Sequence, residues 1–292
     1  MIANNHRPDR CERTILILLA LSLPLSITFS ETFYALASLV WITKTIAKKK
    51  PLRYTRLEIP IAALAAACVL AILSSPSPFE SAQILKKLAL FGLFFLLANS
   101  LDSESEGSRL IDTWLLGVIL ASIWIFVQHF QGTSRPGGSF GYIVFGHFAS
   151  MFLAVCLPLI GLKNNKRTFI LSLSAFAVGV PALLFTLTRA GWMSFLVGLA
   201  VFLLVRRRWL LLSTSVSALV LVGLILSIYA PNSSAGIQIR SLMRPFDKEV
   251  PRVVSSNLHR WFMWKASLQM FKKHPFLGVR PRRFKEELPN YL

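Results

Sequence analysis

The chain has 292 residues, of which 54% are apolar and 15% charged, and its mean hydropathy is +0.58. Soluble domains are nearer about 45–50% apolar and about 25% charged, so the apolar excess belongs to segments that face lipid, and soluble classes are excluded first. The balance of 32 Lys+Arg against 13 Asp+Glu gives +19; this would indicate a nucleic-acid binder in a soluble protein, but in a membrane chain basic residues first report topology, and no nucleic-acid partner is expected.

Apolar runs of roughly 17–25 residues cross a hydrocarbon core of ~30 Å as helices. Such runs lie near 14–29, 32–46, 58–74, 82–99, 110–130, 142–161, 168–187, 190–205 and 209–229. They predict an all-α fold: a polytopic transmembrane helical bundle of about nine spans, followed by an outer, basic, partly helical C-terminal segment. The first run follows Arg7, Arg10 and Arg13 but lacks an Ala-x-Ala-like cleavage site, and a second run comes at once, so it reads as a retained helix. Runs one and two meet at Ser30-Glu31, as a tight hairpin or as one element kinked around Pro24. The organisation predicted is a cytoplasmic N-terminus (1–13), a transmembrane helical domain (14–229) and a periplasmic segment (230–292).

Short connections hold their Lys and Arg on the cytoplasmic side. With the N-terminus inside, inner connections carry 16 basic residues, and the outer ones carry 4: Lys86, Lys87, Arg135 and Arg189. Lys86-Lys87 is the discordant pair, suited to an interfacial turn from which lysines snorkel. Residue 230 onward is then outside, although it carries 12 Lys+Arg against Asp247, Glu249, Glu286 and Glu287, a net +8. Long segments translocate largely regardless of charge, and an anionic ligand would give this basic segment its reason. Within it, Asn257 is placed to cap a helix running to about Lys273 and stopped by His274-Pro275. Trp261, Trp264, Leu268 and Phe271 share one face, with Lys265, Gln269 and Lys272 on another. A segment in the headgroup plane and a helix packed on an outer domain both fit.

No repeat, low-complexity segment or Gly-rich phosphate loop is present, and Cys11, Cys68 and Cys156 have no CxxC or CxxH spacing. Neither a disulfide framework nor a metal site is expected, and nucleotide-driven coupling has no support. Arg189 sits in Phe185-Thr-Leu-Thr-Arg-Ala-Gly-Trp192 with apolar runs on both sides. An Arg at a helix centre in the membrane costs about 2.5–3.5 kcal/mol on insertion scales, which makes it a functional candidate, and its planar fork suits bidentate binding of phosphate. A snorkelling Arg at the membrane edge is the other reading. Arg260, in His259-Arg-Trp-Phe-Met-Trp264, is a candidate second phosphate clamp or an ordinary interfacial cation. Arg135 lies in Gly132-Thr-Ser-Arg-Pro-Gly-Gly-Ser-Phe-Gly141, an outer loop whose glycines permit close approach of a ligand, or a plain turn between two helices. His129 and His147 flank that loop as candidate general bases or locally bonded helix-end residues. No outer carboxylate pair supports a glycosidase-like dyad. Asp112 and Glu58 lie only at inner ends of spans, which weakens a proton- or sodium-coupled transporter.

Thr186-Leu-Thr-Arg-Ala-Gly-Trp192, with Arg260-Trp-Phe-Met-Trp264 leading to His274-Pro-Phe-Leu-Gly-Val279, resembles the O-antigen ligase family. That family also takes in O-antigen polymerases and protein glycosyltransferases of the bacterial inner membrane. The resemblance implies an inverting, metal-independent, cofactor-free transfer, outside the membrane. The donor would be an undecaprenyl-diphosphate-linked glycan and the acceptor a hydroxyl such as one on lipid A-core or another glycan, with membrane lipids as further partners. The family arginines corresponding to Arg189 and Arg260 would hold the diphosphate, and Arg135 joins them as a candidate ligand. Family members usually read Gly-Val-Gly-x-x-x-Phe where this chain has Gly278-Val-Arg280-Pro-Arg-Arg-Phe284. They continue to a His motif that supplies the proposed catalytic base, so the catalytic residue is expected beyond Leu292, and the chain is expected to be the N-terminal part of a ligase, as a fragment, a frameshifted gene product or half of a split protein, with little or no transferase activity alone. An anion transporter with an arginine-lined path and a non-catalytic membrane scaffold are the alternatives from other classes.

Overall fold

The computed structural model describes residues 10–48, 53–75, 78–101, 103–162, 165–208, 251–275, 279 and 283–291, and among them no strand is present. The helices are α1 (Arg10–Ser22), α2 (Ile27–Lys48), α3 (Glu58–Leu73), α4 (Pro78–Ser81), α5 (Leu85–Ala89), α6 (Gly92–Ser100), α7 (Glu104–Phe130), α8 (Tyr142–Leu162), α9 (Lys166–Phe185), α10 (Arg189–Val205), α11 (Pro251–Lys273) and α12 (Phe284–Glu287). Single 3-10 turns cover Ala82–Ile84 and Leu288–Tyr291.

Four stretches are long and apolar enough to cross a membrane: Pro78–Ser100, Glu104–Phe130, Tyr142–Gly161 and Lys166–Phe185. Glu58–Leu73 and Arg189–Val205 are apolar but shorter. The expectation of nine spans is therefore met only in part among the described residues, and the run 209–229 lies outside them. Three local expectations change. The break between the first two runs falls at Leu23–Ser26 rather than at Ser30-Glu31. Pro24 carries no backbone N–H and disfavours helix before it, while Ser30 sits inside α2 with its hydroxyl donating to the Ser26 carbonyl at 2.7 Å. The run 82–99 is not one regular helix, because it passes from a 3-10 turn through α5, which carries Lys86 and Lys87, and a turn at Leu90–Phe91. Asn257 does not cap its helix, since α11 begins a turn and a half earlier, at Pro251; its end at Lys273, before His274-Pro275, is as expected.

The chain divides into two compact units, one of residues 1–43 and 101–239, the other of 44–100 and 240–292. The first is built on α7, α8, α9 and α10, with α1 against α7. Its buried centre takes Leu115, Val118, Ala121 and Ile125 from α7 and Phe145, Ala149, Phe152 and Cys156 from α8, at the three- and four-residue spacings of one helix face, with Ala182 and Leu183 from α9. Small residues set how closely the helices approach: a Cβ on Gly179 would stand 2.5 Å from the Phe152 ring, so the ring occupies the space a side chain would fill. The helix starts are explicit in sequence. Ser103 accepts from the Glu106 amide at 3.3 Å, and Asn165 accepts from the Arg167 amide at 3.0 Å, both N-caps. Polar links gather where α7 and α9 begin. Arg13 pairs with Glu106 at 2.9 Å, and buried Asp112 pairs with Arg167 at 3.3 Å and accepts from Thr168 at 2.6 Å.

In the second unit, Glu58 accepts from the Thr55 amide and hydroxyl at 2.7 and 2.9 Å, fixing the entry to α3. The Arg53 amide donates to Asn99 at 2.8 Å. Near the end of the chain Glu286 accepts from Arg283 at 2.9 Å, a hydrogen bond that raises the guanidinium pKa above its ordinary value.

Candidate functional site: a cation-bearing turn at one end of the helical bundle

The far end of the four-helix bundle brings together the end of α7, the 131–141 loop, the start of α8, the end of α9 and the start of α10. The α9–α10 connection is the tight turn Thr186-Leu187-Thr188. Thr186 is fully buried and donates its hydroxyl to the Leu183 carbonyl at 2.7 Å. Leu187 lies in the left-handed region at φ 51°, a conformation that costs a residue with a Cβ roughly 1–2 kcal/mol. Thr188, also buried, donates to the Tyr142 carbonyl at the start of α8, 3.0 Å away. Two further residues of the motif lock the turn. Gly191 lets α10 approach α8 so closely that an added Cβ would stand 2.6 Å from the Gly146 carbonyl oxygen, and the Trp192 indole N–H donates to the Leu183 carbonyl at 3.1 Å. Arg189, half-buried, is the first residue of α10.

Arg135 arrives from the other side. Its Nη2 donates to the Leu187 carbonyl at 3.3 Å, and its guanidinium carbon stands 4.8 Å from the centre of the Tyr142 ring, within cation–π range. Arg135 and Arg189 therefore meet at one turn. From Asp112 to Asp247 the sequence contains no acidic residue, so neither arginine has a carboxylate near it in sequence.

The loop that carries Arg135 is held by Gln128. Its Oε1 accepts from the amides of Gly137 and Gly138 at 3.1 and 2.9 Å, and Gly138 needs its positive φ of 61° there. Beside this loop is a cavity of about 300 Å³ walled by Pro24, Leu25, Leu120, Ala121, Trp124 and Phe145, with Gly138–Phe140 closing one side. Apart from the Ser139 side chain and the loop backbone, these walls are apolar.

The remaining candidates are placed as follows. His129 stacks on Phe185 at 4.1 Å with 10° between the rings, and its buried Nδ1 has no hydrogen-bond partner among the described residues. His147 is exposed on α8. Arg260 belongs to the second unit, exposed on α11. Among the described residues no group of His, Cys, Asp and Glu is arranged to hold a metal. Gln128 and Tyr142 are not among the sequence candidates, and Thr188 is there only as a member of the Arg189 motif. A polar Gln in the last turn of an otherwise apolar helix was the available signal, whereas a tyrosine and a threonine among apolar residues gave none.

Helices of membrane-crossing length, with a cation-bearing turn at one bundle end, define a polytopic membrane protein with a polar site at the end of its bundle. Residues 173–291 match the family model described as O-antigen ligase. The matched stretch includes the Arg189 turn and α11, and it supports an O-antigen ligase-family assignment. The match and the apolar helices together support a bacterial membrane protein of glycosyltransferase-like type, with a place in lipopolysaccharide biosynthesis. No curated protein and no solved structure matches the chain.

Proposed function

We propose that this chain binds an undecaprenyl-diphosphate-linked glycan at the outer face of the bacterial inner membrane, for inverting transfer of the glycan to an acceptor hydroxyl such as one on lipid A-core. The observation that carries this reading is the joint position of Arg135 and Arg189 at the Leu187 turn; Leu187 and Arg189 lie inside the family match and Arg135 lies outside it. Arg189 puts a cation at the positive end of the α10 dipole, an unfavourable pairing for the helix itself. An anion there is favoured by the guanidinium charge and by the helix end alike.

The same loop has two characters. Arg135 reaches the turn, while Gly138–Phe140 wall an apolar cavity. A ligand with an anionic head and an apolar chain suits that combination, and a prenyl diphosphate is such a ligand. In the transfer, the acceptor hydroxyl gives its proton to a general base and its oxygen forms a bond to the anomeric carbon, while the bond to the diphosphate oxygen breaks. Negative charge builds on the departing diphosphate, and positioned arginines favour that charge. No metal or cofactor is invoked, and Arg260 is assigned to the same diphosphate by family resemblance. The proposed topology has the N-terminus inside, about nine spans over 14–229, and 230–292 periplasmic. The distribution of Lys and Arg supports it.

The test is retention of radiolabelled lipid by the purified chain in nanodiscs. Binding of undecaprenyl diphosphate, competed by inorganic diphosphate and exceeding that of phosphate-free undecaprenol, is expected. Equal retention of the two lipids would contradict the reading.

A further inference from the structure

α11 has two apolar faces. Ala266 and Met270 are buried, at 0% and 3% exposure, and form one seam along the helix. Trp261, Trp264, Leu268 and Phe271 are 52%, 81%, 56% and 62% exposed. At 3.6 residues per turn these four fall within about a quarter of the helix circumference, centred roughly 160° from the Ala266–Met270 seam. The second apolar stripe therefore points away from the protein that the helix rests on. Its borders are cationic: Lys265 and Lys272 on one side, with the Lys265 ammonium 5.4 Å from the Trp261 ring centre, and Arg260 on the other. From Pro251 to Lys273 there is no acidic residue.

We propose that this outward stripe is a membrane-docking surface, laid in the headgroup plane of a leaflet containing anionic lipid. Aromatic side chains enter the acyl boundary while the flanking cations meet lipid phosphates. The charge favours this occupant over a protein partner, because an apolar stripe bordered by cations on both sides, with no acidic group on the helix, matches a continuous sheet of anionic headgroups. The inference shares only Arg260 with the proposed transfer reaction and assigns no ligand to Arg189 or Arg135; its test leaves Arg260 unchanged.

The test uses the full chain with Cys11→Ser, Cys68→Ser and Cys156→Ala, reconstituted in vesicles of phosphatidylcholine with one-third phosphatidylglycerol. Nitroxide labels are placed by Leu268→Cys or by Gln269→Cys, both exposed positions. The 268 label is expected to be open to oxygen and shielded from a water-soluble nickel chelate, and the 269 label open to the chelate. Lys265→Glu with Lys272→Glu should lower the docked-to-undocked ratio at 268 by roughly tenfold or more, since each cation near an anionic surface is worth about fivefold. In the chain without labels, lipid brominated near the headgroup should quench a tryptophan component that Trp261→Phe with Trp264→Phe removes. A 268 label open to nickel in these vesicles, one shielded from both nickel and oxygen as beneath a second copy or another segment, or a removed component that was never quenched would each overturn the proposal.

Discussion

Arg135 and Leu187, fifty-two positions apart, are joined by a hydrogen bond of 3.3 Å from the Arg135 guanidinium to the Leu187 carbonyl. Leu187 holds a backbone conformation that a leucine adopts only at a cost, and its carbonyl orientation sets where Arg189 begins α10. The bond links the loop to the turn and makes Arg135 a brace as well as a cation. Charge-assisted hydrogen bonds contribute about 1.5–3 kcal/mol. Arg135→Ala should weaken undecaprenyl diphosphate binding by roughly tenfold. Arg135→Lys should recover only part, because an ammonium lacks the planar fork. Equilibrium binding in nanodiscs measures both.

Close approach of α8 and α10 supports the same turn. Gly191→Ala would drive a Cβ to 2.6 Å from the Gly146 carbonyl oxygen and should destabilise the chain by about 1–3 kcal/mol, the usual cost of overpacking. Gly107→Ala, where nothing lies within 4 Å of the added Cβ, serves as the comparison and should not lower the thermal midpoint in detergent.

Gln128 holds the loop through two backbone amides. In Gln128→Leu those amides lose their acceptor, and hydrogen exchange at Gly137 and Gly138 should accelerate by about tenfold for each 1.4 kcal/mol of protection lost. Exchange in the middle of α7 should stay as it was. Unchanged protection at both glycines would refute the assigned role.

The apolar cavity and the cation-bearing turn should be separable. Leu120 lines the cavity and is 49% exposed, so Leu120→Trp can fill space there without opening the core. It should weaken binding of undecaprenyl diphosphate severalfold, as expected when about one or two methylene contacts are lost at ~0.8 kcal/mol each. Affinity for inorganic diphosphate should hold. An equal loss for both ligands would mean that the cavity does not take the lipid chain.

Much of this arrangement was legible in the sequence. α8 follows its apolar run at both ends, whereas α7 begins six residues and α9 two residues before the run, where Ser103 and Asn165 cap polar first turns that an apolar count does not include. The Thr186–Trp192 motif stood out in the sequence as a candidate site, but its structure was not legible there. That Thr188 would bond Tyr142, and that Gly191 would meet Gly146, are contacts between segments more than forty residues apart, which no local pattern encodes. The break at Pro24 was one of two readings, and proline chemistry decided it against Ser30-Glu31. The start of α11 was misread because an Asn six residues inside a helix resembles a cap when the preceding turn carries no apolar period. Arg260, paired with Arg189 by family resemblance, belongs to a unit of its own, and its role rests on proposal.

The central claim is that Arg189 binds the diphosphate head of a lipid carrier. Equilibrium binding of undecaprenyl diphosphate to the full chain in nanodiscs, compared with Arg189→Ala and Arg189→Lys, tests it most directly. The account predicts a loss of at least about tenfold for alanine, a smaller loss for lysine, and a thermal midpoint close to that of the unsubstituted chain. Full affinity in an Arg189→Ala chain with that same midpoint would contradict it.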